Sequence, residues 1–185
     1  MLLIASLLFG TAARNSIWLN DATIWNDVIR NNPGNARGYI GLGDYYLQIR
    51  SYEEALGWYR KALAAAPTGP SAADACNNIG VYYMRSSVND LAERYFDLAL
   101  SMNSSYEKAY FNKSHLYSLR GDHARAIAAL TKALTIDPSY AKAYAARGRS
   151  FLDAGRRDAA ADDFRRACEL GFEEACGIVQ ASGGQ

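Results

Sequence analysis

The chain has 185 residues, half of them hydrophobic and 12% aromatic, with 20 basic against 19 acidic side chains and a net charge of +1. That is enough apolar surface for a buried core. It is too little charge bias for a disordered chain or a protein that coats nucleic acid. Three cysteines and two histidines exclude a disulfide-scaffold fold and leave little for a zinc site, so we expect no metal and no cofactor.

The first element is Met1–Ala13, which carries no charged side chain. As a helix it would be about 20 Å long, short of the roughly 30 Å of a bilayer core. Three readings stay open: an abbreviated signal peptide without a basic start, the end of a membrane helix, or a helix buried within this chain or against another. Next, Trp25, Val28 and Ile29 stand at helical spacing before Pro33. They predict a helix over Asn20–Asn32, capped by Asp21 or Asn20.

From residue 36 the chain repeats. Segments 36–69, 73–106, 107–140 and 141–174 align with a period of 34 once Pro70-Ser71-Ala72 is set aside as an insertion. The eighth position is small: Gly43, Gly80, Ser114, Gly148. The twentieth is alanine (Ala55, Ala92, Ala126, Ala160), as is the twenty-seventh (Ala62, Ala99, Ala133, Ala167). Aromatic residues hold the eleventh (Tyr46, Tyr83, Tyr117, Phe151) and large apolar ones the twenty-fourth (Tyr59, Phe96, Leu130, Phe164). Small residues let two helices approach, and the large ones fill the space beside them. This pattern resembles the tetratricopeptide repeat, whose unit is two antiparallel helices, A then B. The resemblance implies an all-α, right-handed helical solenoid of four helix pairs. In its register Trp25, Val28 and Ile29 belong to a lone helix B, so residues 14–35 form a half-repeat.

Two departures carry expectations. Gly121-Asp122 and Gly155-Arg156 supply the A-to-B turn in repeats three and four, whereas Arg50-Ser51 and Ser87-Val88 stand there in repeats one and two. Repeat two also has Ser104 where Pro67 and Pro138 follow other helices. We therefore expect a looser turn and a longer or straighter junction in repeat two. The seventh position changes from Leu42 and Ile79 to Lys113 and Arg147, which predicts a less buried seam toward the C-terminal end.

After Gly171, a left-handed helix stop, Glu173 to about Ala181 predicts a capping helix, so that residues 175–185 are cap and tail. The pattern Ala167-Cys168, Leu170-Gly171, Ala175-Cys176 resembles Sel-like repeats. That resemblance implies a disulfide between Cys168 and Cys176 if the chain is exported; in the cytosol the pair stays reduced. Cys76 is expected as a buried thiol. At the other end, Arg14-Asn15, Trp18, Thr23-Ile24-Trp25 and the run from Pro33 to Arg37 are similar to the junction where mannosyltransferase-like membrane proteins pass into tetratricopeptide tails. This favours the membrane-helix reading of Met1–Ala13 and implies no activity for this chain.

No catalytic pattern emerges. His115 and His123 lack metal-ligand spacing to any partner, and Asp162-Asp163 and Glu173-Glu174 read as solvated carboxylates. There is no phosphate-binding or dinucleotide loop, so we expect no enzyme. What remains is the helix A face that lines the groove of such stacks. It would present Arg37 and Asp44; then Asp74, Asn77, Asn78, Val81, Met84 and Arg85; then Lys108, Phe111, Asn112 and His115; then Lys142 and Arg149. The chaperone-tail clamp of the family is matched only by Asn78 and Lys108. The sequence thus predicts a non-catalytic protein–protein interaction scaffold, membrane-associated or extracytoplasmic, with a protein or peptide partner and no nucleic acid. Two alternatives stand beside it: a structural subunit that self-assembles, and a detached accessory domain of a membrane glycosyltransferase.

Overall fold

The computed structural model describes residues 21–182, so Met1–Ala13 lies outside the described residues. Those described form ten α-helices and no strand: α1 (Asp21–Asn31), α2 (Ala36–Gln48), α3 (Tyr52–Ala65), α4 (Pro70–Arg85), α5 (Asn89–Met102), α6 (Glu107–Leu119), α7 (His123–Ile136), α8 (Ala141–Asp153), α9 (Arg157–Glu169) and α10 (Glu173–Ser182). They belong to two compact units, one ending at Tyr82 and one beginning at Tyr83.

In the first unit α2 packs against both α1 and α3. It starts at Asn35, whose side chain accepts the Arg37 amide at 3.1 Å, giving one orphan donor of the first turn a partner. Its glycines make room for large neighbours. A Cβ on Gly41 would lie 2.1 Å from Trp25, and one on Gly43 would lie 2.3 Å from the Tyr59 ring. Trp25 thus packs closely on the helix that follows it. The inserted Pro70-Ser71-Ala72 begins α4, which runs 16 residues where α2, α6 and α8 run 13. Proline suits that first helical position, where its missing N–H costs nothing.

In the second unit, successive helices from α5 to α10 pack in order. Ala92, Ala99, Ala109, Ala126, Ala133, Ala143, Ala160 and Ala167 are all buried at the helix contacts, and Phe96, Leu130 and Phe164 fill the spaces between. This is the small-beside-large arrangement that the period of 34 predicts.

The expected looseness of repeat two is not found. Arg50 and Ser87 adopt the same left-handed backbone as the glycines, with φ of 63° and 61° against 72° at Gly121 and 76° at Gly155. The same bond closes all four turns: Ser51 to Tyr46, Val88 to Tyr83, Asp122 to Tyr117 and Arg156 to Phe151, each N to O within 2.8–2.9 Å. Packing of helix A on helix B holds the turn whatever residue occupies it. Nor is the junction longer. α5 spans 14 residues, as α3 and α7 do. Asn103 takes the role of the missing proline, its side chain accepting the Ser105 amide at 3.0 Å as Asp137 accepts that of Ser139 at 2.9 Å. Such a side-chain turn stops a helix without proline.

The seam position is less buried toward the C-terminal end, as expected: Leu42 and Ile79 are fully buried, whereas Lys113 and Arg147 keep partial exposure. Lys113 is only 14% exposed and binds Asp97 of α5. Arg147 grips Asp163 of α9 in a fork, Nε to Oδ2 at 2.7 Å and Nη2 to Oδ1 at 2.8 Å, and reaches Thr131 of α7 at 3.2 Å. Charge replaces leucine at this position because each cation meets a helix B carboxylate. Asp163 is therefore buried and paired rather than solvated.

Candidate functional site

Helix A residues of the second unit, together with α10, enclose a cleft of about 540 Å³. Phe111, Ser114, His115 and Ser118 come from α6. Lys142, Ala145, Ala146, Arg149, Ser150 and Asp153 come from α8. Phe172 precedes α10, which adds Glu174, Ala175 and Ile178. The floor is Leu130 and Phe164, both buried. The rim is wet, since His115, Lys142, Arg149, Asp153 and Glu174 are all exposed. An apolar floor under a few charged groups is the usual make-up of a recognition site. Phe111 is held by the Tyr140 ring, centroid to centroid 5.2 Å. Burial, and then the Glu107 and Asp137 carboxylates, raise the Tyr140 phenol above its ordinary value, so it stays neutral.

Of the groove residues read from the sequence, Phe111, His115, Lys142 and Arg149 meet in this cleft. Lys108 and Asn112 lie on α6 but do not line it. Arg37, Asp44, Asp74, Asn77, Asn78 and Val81 belong to the first unit, and Met84 and Arg85 stand near the end of α4. There the helix A face serves the fold. Asp44 accepts from the Tyr59 hydroxyl at 2.8 Å and from the Asn78 amide at 3.1 Å. Asn77, 4% exposed, donates to Asn78 and is too buried to meet a partner. Desolvation and, after it, the Asp44 carboxylate push the Tyr59 phenol well above its ordinary value. The hydroxyl stays a donor, locked to Asp44.

The remaining polar candidates also have structural settings. His123 opens α7 with Nδ1 3.8 Å from Asp153, too far for a hydrogen bond. Asp162 pairs with Arg165 at 3.0 Å one turn on. Among the described residues no three His, Cys, Asp or Glu side chains come together as metal ligands, and no helix is long and apolar enough to cross a membrane. Cys76 is buried, and burial pushes its thiol up to about 11. Cys168 and Cys176 are joined by a disulfide.

Models of the tetratricopeptide repeat match residues 22–70, 107–140 and 141–170, together well over half of the chain. The chain belongs to the tetratricopeptide-repeat family. A crystal structure of MamA is similar, with a TM-score of 0.64 at 26% identity over 82% of this chain and 86% of that one. YrrB, described as a TPR protein with an unusual peptide-binding site, is similar at a TM-score of 0.63 and 20% identity, over 91% and 86%. The first TPR of Spaghetti (RPAP3), bound to the HSP90 peptide SRMEEVD, reaches 0.58 at 21%, over 62% and 92%. At these lower identities the likeness is one of fold. No curated protein matches the chain.

Within tetratricopeptide register, the wall made by α10 was legible and was missed. Tyr106 precedes Ala109 by three residues, Tyr140 precedes Ala143, and Phe172 precedes Ala175. All three alanines are fully buried. The cap is therefore a further helix A. Glu174 takes the place of Lys142, and Ile178 takes that of Ala146, a groove position. Reading the segment only as a lid over the last apolar face hid its inward residues.

Proposed function

We propose that this tetratricopeptide protein is a non-catalytic scaffold that binds a peptide segment in the cleft of α6, α8 and α10. The ligand is a segment with a bulky apolar side chain beside a carboxylate. The observation that carries this reading is the cleft itself: an apolar floor of Leu130 and Phe164 under a rim where Lys142 and Arg149 stand beside His115, Asp153 and Glu174. The apolar side chain supplies burial, and the basic groups supply orientation and steering. The peptide-binding site of YrrB and the HSP90 peptide on RPAP3 support the class of partner. We place the protein at a membrane or outside the cytoplasm. The uncharged Met1–Ala13 and the Cys168–Cys176 bond support that location, since such bonds persist in oxidising compartments.

Peptides selected from a displayed random library on the full chain test the reading. Selected sequences should pair Phe, Leu or Trp with Asp or Glu. Arg149→Glu should weaken them by about ten-fold or more, and affinity should fall as salt rises. Ala146→Trp, which fills the cleft, should abolish binding. Arg165→Glu, on the exposed face of α9, should leave it intact. Peptides indifferent to both cleft substitutions would place recognition elsewhere and overturn the proposal.

A further inference from the structure

One wall of the cleft is fastened by a bond that can be opened. Cys168 stands in the last turn of α9 and Cys176 in the first turn of α10, joined with their Cα atoms 4.7 Å apart. Three cleft residues, Phe172, Glu174 and Ala175, lie inside the loop this bond closes, and Ile178 lies two residues beyond it. The other walls are held differently. α8 packs between α7 and α9, whereas the main partner of α10 is α9 alone. α10 has ten residues, below the roughly 12–15 at which a helix sustains itself in water. Its place rests on Ala175, buried in the cluster of Phe151, Phe164 and Ala167, on Phe172, Ile178 and Val179 packed against that cluster, and on the disulfide. Both half-cystines are partly exposed, within reach of a small reductant or a thiol-exchange protein.

We propose that the Cys168–Cys176 pair is a redox latch on the peptide cleft: oxidised, it pins α10 as the third wall; reduced, it frees α10 and weakens the ligand. The inference rests on the cleft being the binding site. A dithiol reductant supplies the two electrons and two protons. Its thiolate attacks one half-cystine sulfur, the Sγ–Sγ bond breaks, and the released thiolate takes a proton. The reductant's second thiol then displaces the other cysteine as a thiol and leaves as a cyclic or protein disulfide. Closing a short loop restricts the released state, so opening it lets α10 leave Ala175's pocket without unfolding the helices behind it. Cys76, fully buried in the first unit, takes no part.

The test compares the full chain oxidised, reduced with dithiothreitol, and as Cys168→Ser/Cys176→Ser. Hydrogen exchange and binding of a fluorescein-labelled peptide selected on the oxidised chain are both read, with Cys76→Ala as the control. Reduction and the double substitution should speed exchange in residues 172–180 by about ten-fold or more. α6 to α9 should stay protected, and affinity should fall by about ten-fold. Unchanged exchange and affinity on reduction would overturn the latch while leaving the cleft reading intact, provided Arg149→Glu still releases the peptide. Loosening of α10 with affinity preserved would do the same. Loss of protection throughout α6 to α9 would make the bond a staple of the fold and overturn its role as a latch. An oxidised chain whose peptide ignores Arg149→Glu would remove the cleft reading, and the latch with it.

Discussion

Glu93 shows how one carboxylate is placed by the seam between helix pairs. It accepts from the Tyr117 hydroxyl at 3.1 Å and from Arg120, which also holds Asp90 at 2.9 Å. Desolvation raises the Glu93 pKa, but the hydrogen bonds from Arg120 and Tyr117 outweigh it and hold the group below its ordinary value. A depressed carboxylate stabilises the fold above its unfolded pKa, about 4.3. That contribution disappears as pH falls through the lower folded value. Glu93→Gln should therefore lower the unfolding free energy at pH 7 by roughly 1 kcal/mol and flatten its decline on acidification, both read by urea titration from pH 7 to 3. Glycine behaves oppositely at two sites of the first unit. The Cβ of Gly43→Ala would lie 2.3 Å from the buried Tyr59 ring, which the Asp44 bond keeps from retreating. That overpacking should cost about 2–3 kcal/mol. Gly57→Ala, with nothing within 4 Å inside α3, should gain roughly 0.5–1 kcal/mol. Thermal melts of the two variants should move in opposite directions.

The turn between helix A and helix B is the element that tolerates its own sequence least comfortably. Left-handed backbone costs a residue with a Cβ roughly 1–2 kcal/mol, yet Arg50 and Ser87 adopt it. The bonds from Ser51 to Tyr46 and from Val88 to Tyr83, with the packing they allow, outweigh that cost. Arg50→Gly and Ser87→Gly should each stabilise the protein by roughly 0.5–1 kcal/mol, the relief of strain being partly offset by the freer unfolded chain. Gly121→Ala and Gly155→Ala should destabilise it by about 1 kcal/mol. Denaturant midpoints for the four variants check both signs. Had the turns of the first two repeats been loose, glycine there would bring no gain.

For the whole molecule, Met1–Ala13 bears on where the scaffold works. Leu2, Leu3, Ile4, Leu7, Leu8 and Phe9 would each forgo about 1.5–3 kcal/mol of burial if left in water. Deleting residues 1–13 should yield a dispersed, folded repeat domain and abolish membrane association or assembly, as followed by vesicle co-sedimentation and light scattering. A full-length chain that remains monomeric in detergent-free buffer at high concentration would refute this.

The sequence by itself determined the helix pairs. A small residue at the eighth, twentieth and twenty-seventh positions and a large one at the twenty-fourth state a packing rule that recurs four times, and each instance is satisfied by neighbours within one period or the next. It also marked Phe111, His115, Lys142 and Arg149 as facing the groove. Only the tertiary structure decided which groove positions meet solvent and which serve the fold. Asn77 and Asp44 are spent on Tyr59 and Asn78, and Asp163 is buried because Arg147 reaches it from the opposite helix. Arg50 and Ser87 hold the left-handed turn that glycine holds in the later repeats because helix packing closes it. The third wall of the cleft arises from Ala175 docking beside Phe164. These outcomes depend on partners brought together from different helices, whose mutual reach and burial no residue spacing specifies.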